Sequence, residues 1–415
     1  MADGWAWYVG IDWGIDEHRI CVVDASGQRR DERTVAHTAA DIHAAVGWLE
    51  AVTGVPLSAM AVAIERPRGV LVDSLVTRGA AVYAVNPKQL DRFRDRFATS
   101  GAKDDGRDAH VLADALRTDP RAFRGVVPDD PIRIHLRELS LMLDELRVDE
   151  GRVANRIREQ LYRVDAPWLT LCPAADEPWL WTLLEDAPHP QTWSPLSRRR
   201  VTAALRMHRI RRLTVDDVLA ALHTTRLHAA VGVTEAVATR LQSLVPQIRL
   251  LHGQRLATER QLDSLLQQLA QEPDTPTEPG EHRDAAILLS LPGVGRMVSA
   301  TMLAEAGGLL AARDYHTLRL YTGVAPVTKR SGKRLRVVQM RYACNKRLRD
   351  ALYHWARTSI QHDHGARTYY DLLRTRGHAH ARALRSVADR WLRILVAMLK
   401  TRTLYIPPPC PLPSS

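Results

Sequence analysis

The sequence predicts an α/β layer fold over roughly the first 120 residues, followed by a mainly helical remainder. Strand-like and helix-like stretches alternate at the start of the chain, which is the pattern of a sheet with helices packed on it. Further along, apolar residues recur at helical spacing over two long stretches, which is typical of extended amphipathic helices. A chain of 415 residues is long enough for two or three domains.

The order of the predicted elements begins with a three-strand meander and continues with alternating helices and strands. The predicted strands are Trp7–Trp13, Arg19–Asp24, Glu32–His37, Ala59–Glu65 and Ala81–Val85, and the predicted helices are Asp41 to about Val52 and Val70–Arg78. This order resembles an RNase H-like domain, also called RuvC-like, which we assign to residues 1–128.

Two apolar stripes predict a helical middle region over residues 129–272. The first runs from Ile134 to Val164 and the second from Leu241 to Leu269, and Pro246 is expected to kink or begin the second helix. The two helices are expected either to pair as an antiparallel coiled coil or to mediate dimerisation. Between them lies a segment rich in tryptophan, Trp168–Trp193, whose role the sequence leaves open.

Composition changes mark the remaining boundaries. Residues 273–283 are polar and rich in proline, which predicts a flexible linker. A mainly helical domain is expected over residues 284–404, and the proline-rich segment 405–415 is expected to be disordered.

Bulk composition favours a protein that binds a polyanion and argues against a membrane protein. Hydrophobic residues make up 45% and charged residues 25%, and no apolar run approaches the ~20 residues that a membrane helix needs. The first residues lack the features of a secretory signal, so a cytoplasmic location is expected, with action at the nucleoid. The net charge of +11 favours a nucleic-acid partner. The cysteines are far apart and predict neither a zinc site nor a disulfide framework: Cys21, Cys172, Cys344 and Cys410.

Acidic residues at strand ends and at a helix entrance predict a metal site in the first domain. Asp12 lies within a predicted strand, and Glu65 ends another. Asp105 and Asp108 stand three residues apart at a helix start and share a face, although Asp104 and Asp108 would also share one. Such a cluster would hold hard cations such as Mg²⁺ or Mn²⁺, and two such ions can promote phosphodiester displacement. Taken singly, an aspartate in a strand is more often a turn or edge feature, and an aspartate before a helix is commonly an N-cap.

The C-terminal region contains a basic segment around a candidate nucleophile. From Lys329 to Arg349 the chain has nine basic and no acidic residues, which is typical of a nucleic-acid contact surface. Ser331 lies inside it, in a predicted loop that leads into a strand at Leu335–Gln339. The surrounding cations would stabilise charge on a phosphorus centre, although a Ser-Gly pair is by itself most often a turn. The predicted nucleic-acid contacts are Lys329, Arg330, Lys333, Arg334, Arg336, Arg341, Lys346 and Arg347.

A short glycine-containing turn adds a second candidate contact. The segment Leu291–Gly295, followed by an apolar helix, looks like the hairpin of a helix-hairpin-helix motif. In such a motif the amides near Gly293 and Gly295 would hold a phosphate. An ordinary glycine turn is the alternative interpretation.

Together these residues resemble the DEDD transposases of bacterial insertion sequences, the IS110 family, which are also described as bridge-RNA-guided recombinases. The resemblance covers almost the whole chain. Its N-terminal part rests on Val9–Asp12, Ala63–Glu65 and the Lys-x-Asp-x-x-Asp-Ala pattern at Lys103–Ala109, which selects Asp105 over Asp104. Its C-terminal part rests on Leu291–Gly295, Gly323–Pro326 and Ser331-Gly332. The sequence departs from the family at Gly106-Arg107, where members often have Pro-Gly, and in its larger tryptophan-rich middle segment.

The resemblance implies a DNA transposase or recombinase in which Asp12, Glu65, Asp105 and Asp108 bind Mg²⁺. It implies that Ser331 attacks a DNA phosphate and forms a phosphoserine link. It further implies target and donor duplex DNA and a non-coding guide RNA as partners, and a homodimer or homotetramer in which one subunit's serine completes another's site. Two alternatives stay open, namely a RuvC-like structure-specific nuclease and a nucleic-acid-binding protein without catalytic activity.

Overall fold

The computed structural model describes residues 5–65, 67–85, 87–94, 105–126, 130–193, 195–224, 227, 229–271, 283–331 and 334–407. The chain divides into two compact units, Met1–Asp130 and Pro131–Ser415, which we describe one at a time. Within the described residues, no helix combines the length and apolar character needed to cross a membrane.

A six-stranded mixed sheet forms the centre of the first unit. Its strands are β1 (Trp7–Trp13), β2 (Glu17–Asp24), β3 (Arg29–Ala36), β4 (Met60–Ile64), β5 (Ala81–Ala84) and β6 (Arg124–Gly125). They are arranged in the order β3-β2-β1-β4-β5-β6, in which β1, β4 and β5 run parallel and the other neighbours are antiparallel. The predicted meander and the alternation that follows it are therefore present.

Helices cover both faces of this sheet. They are α1 (Ala39–Thr53), α2 (Val70–Thr77), α3 (Pro87–Arg94) and α4 (Asp105–Thr118). Alternate residues of β1 belong to two cores because successive side chains of a strand point to opposite faces. Val9 and Ile11 pack with α1 and α2, whereas Tyr8 packs with α4.

Helix α4 approaches β1 closely because β1 has a glycine at the point of contact. A Cβ atom added to Gly10 would lie 1.8 Å from the carbonyl oxygen of Ala109 and 2.7 Å from the amide nitrogen of Ala113. Only a residue without a side chain fits there. Gly10 thus sets the distance between β1 and the helix that carries Asp108.

Two long helices pair with each other in the second unit. These are α5 (Pro131–Tyr162) and α10 (Val231–Ala270), and four short helices lie between them: α6 (Trp168–Leu171), α7 (Pro178–Asp186), α8 (Arg198–Met207) and α9 (Val215–Leu222). The long helices run antiparallel, since Glu150 bonds with His252 and Arg255 while Arg147 bonds with Glu259. The expected antiparallel pair therefore forms within one chain.

Pro246 lies inside α10 and does not begin it, because the helix starts at Val231. The expectation that the proline begins the helix is therefore wrong. Trp168, Trp179 and Trp193 are fully buried, and the Trp168 ring contacts the other two. The tryptophan-rich segment therefore forms the core of the helices between α5 and α10.

The C-terminal part of the second unit is helical with one strand pair. Its elements are α11 (Asp284–Ser290), α12 (Arg296–Ala311), α13 (Tyr315–Tyr321), β7 (Val327–Ser331), β8 (Arg334–Gln339), α14 (Lys346–His362), α15 (His364–Thr375) and α16 (His380–Thr401). Leu136 of α5 and Leu262 of α10 share a core with these helices. The predicted middle and C-terminal regions consequently belong to one compact unit.

The segment before Ser331 differs from the sequence-based expectation. A loop was expected to precede a strand at Leu335–Gln339, but Val327–Ser331 is itself a strand and pairs antiparallel with β8. The partner strand supplies backbone hydrogen bonds that local sequence does not reveal.

The two flexible segments that the sequence predicts fall mostly outside the described residues. The linker over residues 273–283 is described only at Arg283. In the tail expected from residue 405, Tyr405 is ordered. Its ring packs on Trp391 and its amide donates to the Ser290 hydroxyl.

Candidate functional site

Asp12 and Glu65 take neighbouring positions at the ends of parallel strands. The last register pair of β1 and β4 is Ile11 with Ile64, so one further step places Asp12 beside Glu65. Adjacent strands lie about 4.8 Å apart. Gly10 and Ala63 belong to the face that α4 covers, and alternation places Asp12 and Glu65 on that same face.

The N-terminal end of α4 brings the remaining two aspartates to this edge of the sheet. Ala109 lies against Gly10, while Arg117, near the other end of α4, lies against Gly27, which follows β2. Because β2 ends beside the start of β1, α4 runs antiparallel to β1. Asp108 is therefore at the end of β1 where Asp12 lies. Asp105 is the first residue of α4, and its side chain lies outside the described residues.

Asp108 is buried and bound by an arginine that the sequence analysis did not single out. The residue is 2% exposed, and its carboxylate accepts two hydrogen bonds from Arg94, at 2.7 Å from Nε and 2.8 Å from Nη2. Arg94 also donates to Asp91 at 2.6 Å. Burial by itself would lower the pKa of Arg94, but its bonds to Asp108 and Asp91 outweigh burial and raise it.

These contacts show what the site requires electrostatically. A carboxylate with so little solvent access needs a cation beside it, because an uncompensated buried charge is costly. Arg94 supplies that cation in this structure. The oxygen donors of Asp12, Glu65 and Asp108 also suit a hard divalent ion, so the residues present fit such a metal.

His110, two residues beyond Asp108, packs inward from α4. Its Nδ1 lies 3.9 Å from the Cys21 sulfur. Burial lowers the pKa of His110 and raises the pKa of the Cys21 thiol to about 12. Both side chains are therefore neutral near pH 7 and pack the face between β2 and α4.

Ser331 lies at the end of a strand hairpin. Its backbone pairs with Arg334, and Val327 pairs with Gln339 at the open end. Gly332 and Lys333 are outside the described residues, as are the side chains of Ser331 and of four predicted contacts: Lys329, Arg330, Arg334 and Arg336. The structure places these four contacts on the hairpin strands by backbone alone.

The other predicted basic contacts differ in their surroundings. Lys346 is exposed at the first turn of α14. Arg341 donates to the Ala325 carbonyl at 3.4 Å. Arg347 points inward and bonds with Glu305 at 2.7 Å and the Ser140 hydroxyl at 2.9 Å. These bonds tie α14 to α12 and α5, so Arg347 has a structural role, and its contact with nucleic acid stays a prediction.

The glycine turn between α11 and α12 has the geometry of a tight connection. Gly293 has a φ of 80°, and a Cβ there would lie 2.5 Å from the Ser359 amide nitrogen. The turn is also held by Trp355, whose ring nitrogen donates to the Pro292 carbonyl. Close packing against α14 thus explains why position 293 requires a glycine. Gly295 is the exposed N-cap of α12, and a Cβ there would meet no described atom within 4 Å.

A separate group of possible metal ligands lies in the second unit. One ligand atom each of Cys172, Asp176 and Glu177 lies within 4.8 Å of the others. Glu177 already accepts hydrogen bonds from Trp179 and Arg212. Burial raises the pKa of the Cys172 thiol to about 11. These contacts give the group a packing role around the tryptophan core.

Comparison with known proteins defines the class. A family model described as "Transposase" matches residues 9–164, which include all four predicted carboxylates. A second model, described as "Transposase IS116/IS110/IS902 family", matches residues 285–371, which include Ser331. The chain is a transposase of an insertion sequence.

Individual relatives agree with the family models. The chain is 30% identical over 405 residues to "Mini-circle putative transposase for IS117" of Streptomyces coelicolor, covering 95% of this chain and 94% of that protein. It is 28% identical over 406 residues to "Insertion element IS110 uncharacterized 43.6 kDa protein" of the same species, covering 96% and 95%. It is 41% identical over 213 residues to "Putative transposase y4uE" of Sinorhizobium fredii, covering 51% of this chain and 59% of that protein. The chain belongs to the IS110 family, as the sequence resemblance implied.

Arg94 is the residue at this site that sequence reasoning missed. It lies within Asp91-Arg92-Phe93-Arg94, where either arginine could have been a solvated charge. Arg94 and Asp108 lie on different helices, α3 and α4, so no helical period connects their positions. Only the packing of α3 beside α4 selects it.

Proposed function

We propose that this transposase cuts and rejoins DNA by phosphodiester transesterification. In this proposal Asp12, Glu65, Asp105 and Asp108 form the metal-binding set of an RNase H-like, RuvC-like first unit, and Ser331 is the nucleophile. The observation that carries the first half is the strand register beside α4, which gathers three of the acids at one edge of the sheet. The second half rests on the family and on the cations that surround Ser331 in the sequence.

A divalent ion, Mg²⁺ or Mn²⁺, would be held by the four carboxylates. When bound, such an ion lowers the energy of a phosphodiester displacement by stabilising charge on the attacking and leaving oxygens. The chain's own contribution is to fix the carboxylates on two strands and a helix rather than on loops. Ion binding at Asp108 would also have to displace or share the two bonds from Arg94.

The serine step conserves the phosphodiester bond. The Ser331 oxygen loses its proton and forms a bond to phosphorus, while the bond from phosphorus to one deoxyribose oxygen breaks and that oxygen gains a proton. The strand is then joined to the protein through a phosphoserine diester. Attack by the hydroxyl of another strand end reverses the step and releases the serine, so no nucleotide triphosphate is consumed.

The partners proposed for this reaction are target duplex DNA, donor duplex DNA and a non-coding guide RNA, within a homodimer or homotetramer. Family membership supports DNA as the substrate. The net charge of +11 favours nucleic acid in general. Guide RNA and the oligomer are carried over from the family resemblance.

Trapping the covalent intermediate would test the proposal. Purified protein with Mg²⁺, its element DNA and RNA transcribed from the element should give a protein–DNA adduct that survives denaturation. Peptide mass mapping should locate the DNA on Ser331. Ser331→Ala should abolish both adduct and strand transfer, and Asp12→Asn should abolish both while leaving nucleic-acid binding unchanged.

A matched control is Thr328→Val, which removes another hydroxyl from the same strand and should leave the adduct intact. Ser331→Ala protein that still nicks DNA hydrolytically, with no adduct in the wild type, would favour the structure-specific nuclease. Full activity of Asp12→Asn would contradict the metal site.

A further inference from the structure

A small basic pocket lies at the open end of the hairpin that carries Ser331. Pro326, just before β7, and Gln339, the last residue of β8, contribute one side of it. Its volume of about 190 Å³ is below the ~300–1,000 Å³ typical of pockets for whole small molecules. The pocket is therefore of a size for a single chemical group.

One face of α16 lines the other side of the pocket. Arg382, Arg385, Ser386 and Asp389 follow the i, i+3, i+4, i+7 pattern of one helix face. The acidic member is already engaged, since Asp389 accepts from Arg319 at 2.7 Å and from the Tyr315 hydroxyl at 2.8 Å. With Asp389 neutralised by Arg319, the lining retains the two positive charges of Arg382 and Arg385.

Arg385 is held in a position that lacks an anion. Among the described residues it has no acidic partner, although its side chain is only partly exposed. Burial lowers the pKa of Arg385, and the neighbouring positive charge of Arg382 lowers it further. A partly buried arginine beside a second positive charge is unfavourable without a counter-charge, and an anion in the pocket would relieve this repulsion.

His378 also lines this pocket, and its ring carries a buried polar atom without a partner among the described residues. His378 Nδ1 is buried and makes no hydrogen bond within the described part of the chain. The backbone of His378 is fixed, because Arg374 donates to its carbonyl at 2.7 Å and its amide donates to the Leu373 carbonyl at 3.0 Å. Buried polar atoms are normally satisfied, so this orphaned nitrogen points to a missing partner.

We propose that this pocket, formed by Arg382, Arg385, His378 and Ser386, binds one backbone phosphate of a nucleic acid. Guanidinium groups match phosphate oxygens in geometry and charge. The identity of the ligand as nucleic acid rests on the proposed function, whereas the pocket itself does not. Four residue steps along β7 separate Val327 from Ser331, which is about 13 Å. That distance corresponds to about four nucleotide steps at ~3.4 Å each, so one strand could reach both places.

The salt dependence of binding measures phosphate contacts directly. For duplex DNA, each neutralised phosphate contributes about 0.9 to the slope of log affinity against log salt. Arg385→Gln should lower that slope by about 0.9 and weaken binding on the order of five-fold at ~0.15 M salt. The slope is measured with duplex DNA of the insertion element and with RNA transcribed from it, both without divalent metal. The nucleic acid whose slope changes in the variant is the one that supplies the phosphate. Catalysis plays no part in this assay, so a failure of the serine mechanism would leave its result unchanged.

Control variants separate the pocket from general charge. Arg367→Gln removes the same charge from an exposed residue of α15 that is paired with Asp371, and it should leave the slope unchanged. Arg385→Lys keeps the positive charge and should retain most of the wild-type slope. Arg382→Gln changes an exposed pocket residue and should lower the slope even if Arg385→Gln does not fold. Wild-type slopes in both Arg382→Gln and Arg385→Gln, with DNA and with RNA, would overturn the proposal.

Discussion

Replacing Arg94 by methionine would leave the Asp108 carboxylate buried without its cation. The Asp108 side chain is 3% exposed and the Arg94 side chain 30% exposed. Removing one partner of a buried ion pair costs ~3–5 kcal/mol. Because Arg94 is partly solvated, we expect the lower end of that range, about 3 kcal/mol.

Hydrogen exchange of the α4 amides in the full-length protein is the appropriate assay, because it reports local opening. A loss of about 3 kcal/mol corresponds to exchange about one hundred-fold faster in the presence of a chelator. Adding Mg²⁺ or Mn²⁺ should slow exchange again, because an ion that binds only the folded state at 100 times its Kd restores about 2.7 kcal/mol. The ion should also bind Arg94→Met more tightly than the wild type, in which Arg94 competes for the carboxylate.

The matched control is Arg117→Met, which removes the partner of Asp114 on the same helix. We expect a smaller loss there and no recovery with metal, because Asp114 lies away from the candidate site. Unchanged α4 exchange in Arg94→Met would refute the counter-charge argument. Faster exchange that neither ion reverses would refute Asp108 as a metal ligand.

Two further predictions concern the first unit. Gly10→Ala should destabilise it by about 3 kcal/mol, because the new Cβ would lie 1.8 Å from the Ala109 carbonyl oxygen. Gly47 lies on α1, where an added Cβ meets no described atom within 4 Å. Gly47→Ala should therefore stabilise the first unit by up to about 1 kcal/mol. Equal thermal unfolding temperatures for the two variants would contradict the close approach of α4 to β1. The second prediction is a loss of stability in acid: burial, followed by the charge of His37, lowers the pKa of His18 below its ordinary value of 6.5. Below pH 6.5 the unfolded chain therefore binds a proton at His18 that the folded chain does not, so the free energy of unfolding declines as pH falls. His18→Gln should flatten this decline when the free energy of unfolding is measured from about pH 5 to pH 8. Identical pH profiles for the variant and the wild type would count against this prediction.

The sequence anticipated the positions of the acidic residues in the first unit better than it anticipated the hairpin that carries Ser331. Period-two alternation placed Asp12 on the face opposite Ile11, and the apolar run before Glu65 indicated a strand that ends at a carboxylate. Both inferences are local and depend on neighbouring residues only. The strand before Ser331 was missed because its partner, β8, supplies the hydrogen bonds that make it a strand.

Long-range contacts account for most other differences. Arg347 was grouped with the exposed cations by its sequence neighbours, but Glu305 and Ser140 lie on other helices and draw it inward. Gly293 suggested a phosphate-binding amide, and its close approach to Ser359 supplies a packing reason for the same glycine. A basic residue or a glycine in a sequence does not indicate which distant side chain will neutralise it or pack against it.

The sequence by itself determined the first five strands with α1 and α2 between them, the two long helices, the acidic residues at the strand ends and the family to which the chain belongs. These features are encoded in spacing and residue type, since side-chain direction follows the backbone period. Tertiary structure alone decided that Gly10 admits α4, that Arg94 neutralises Asp108 and that Arg382 and Arg385 share a pocket with His378. Each of these depends on which surfaces pack together, and packing brings into contact residues whose separation along the chain carries no periodic signal.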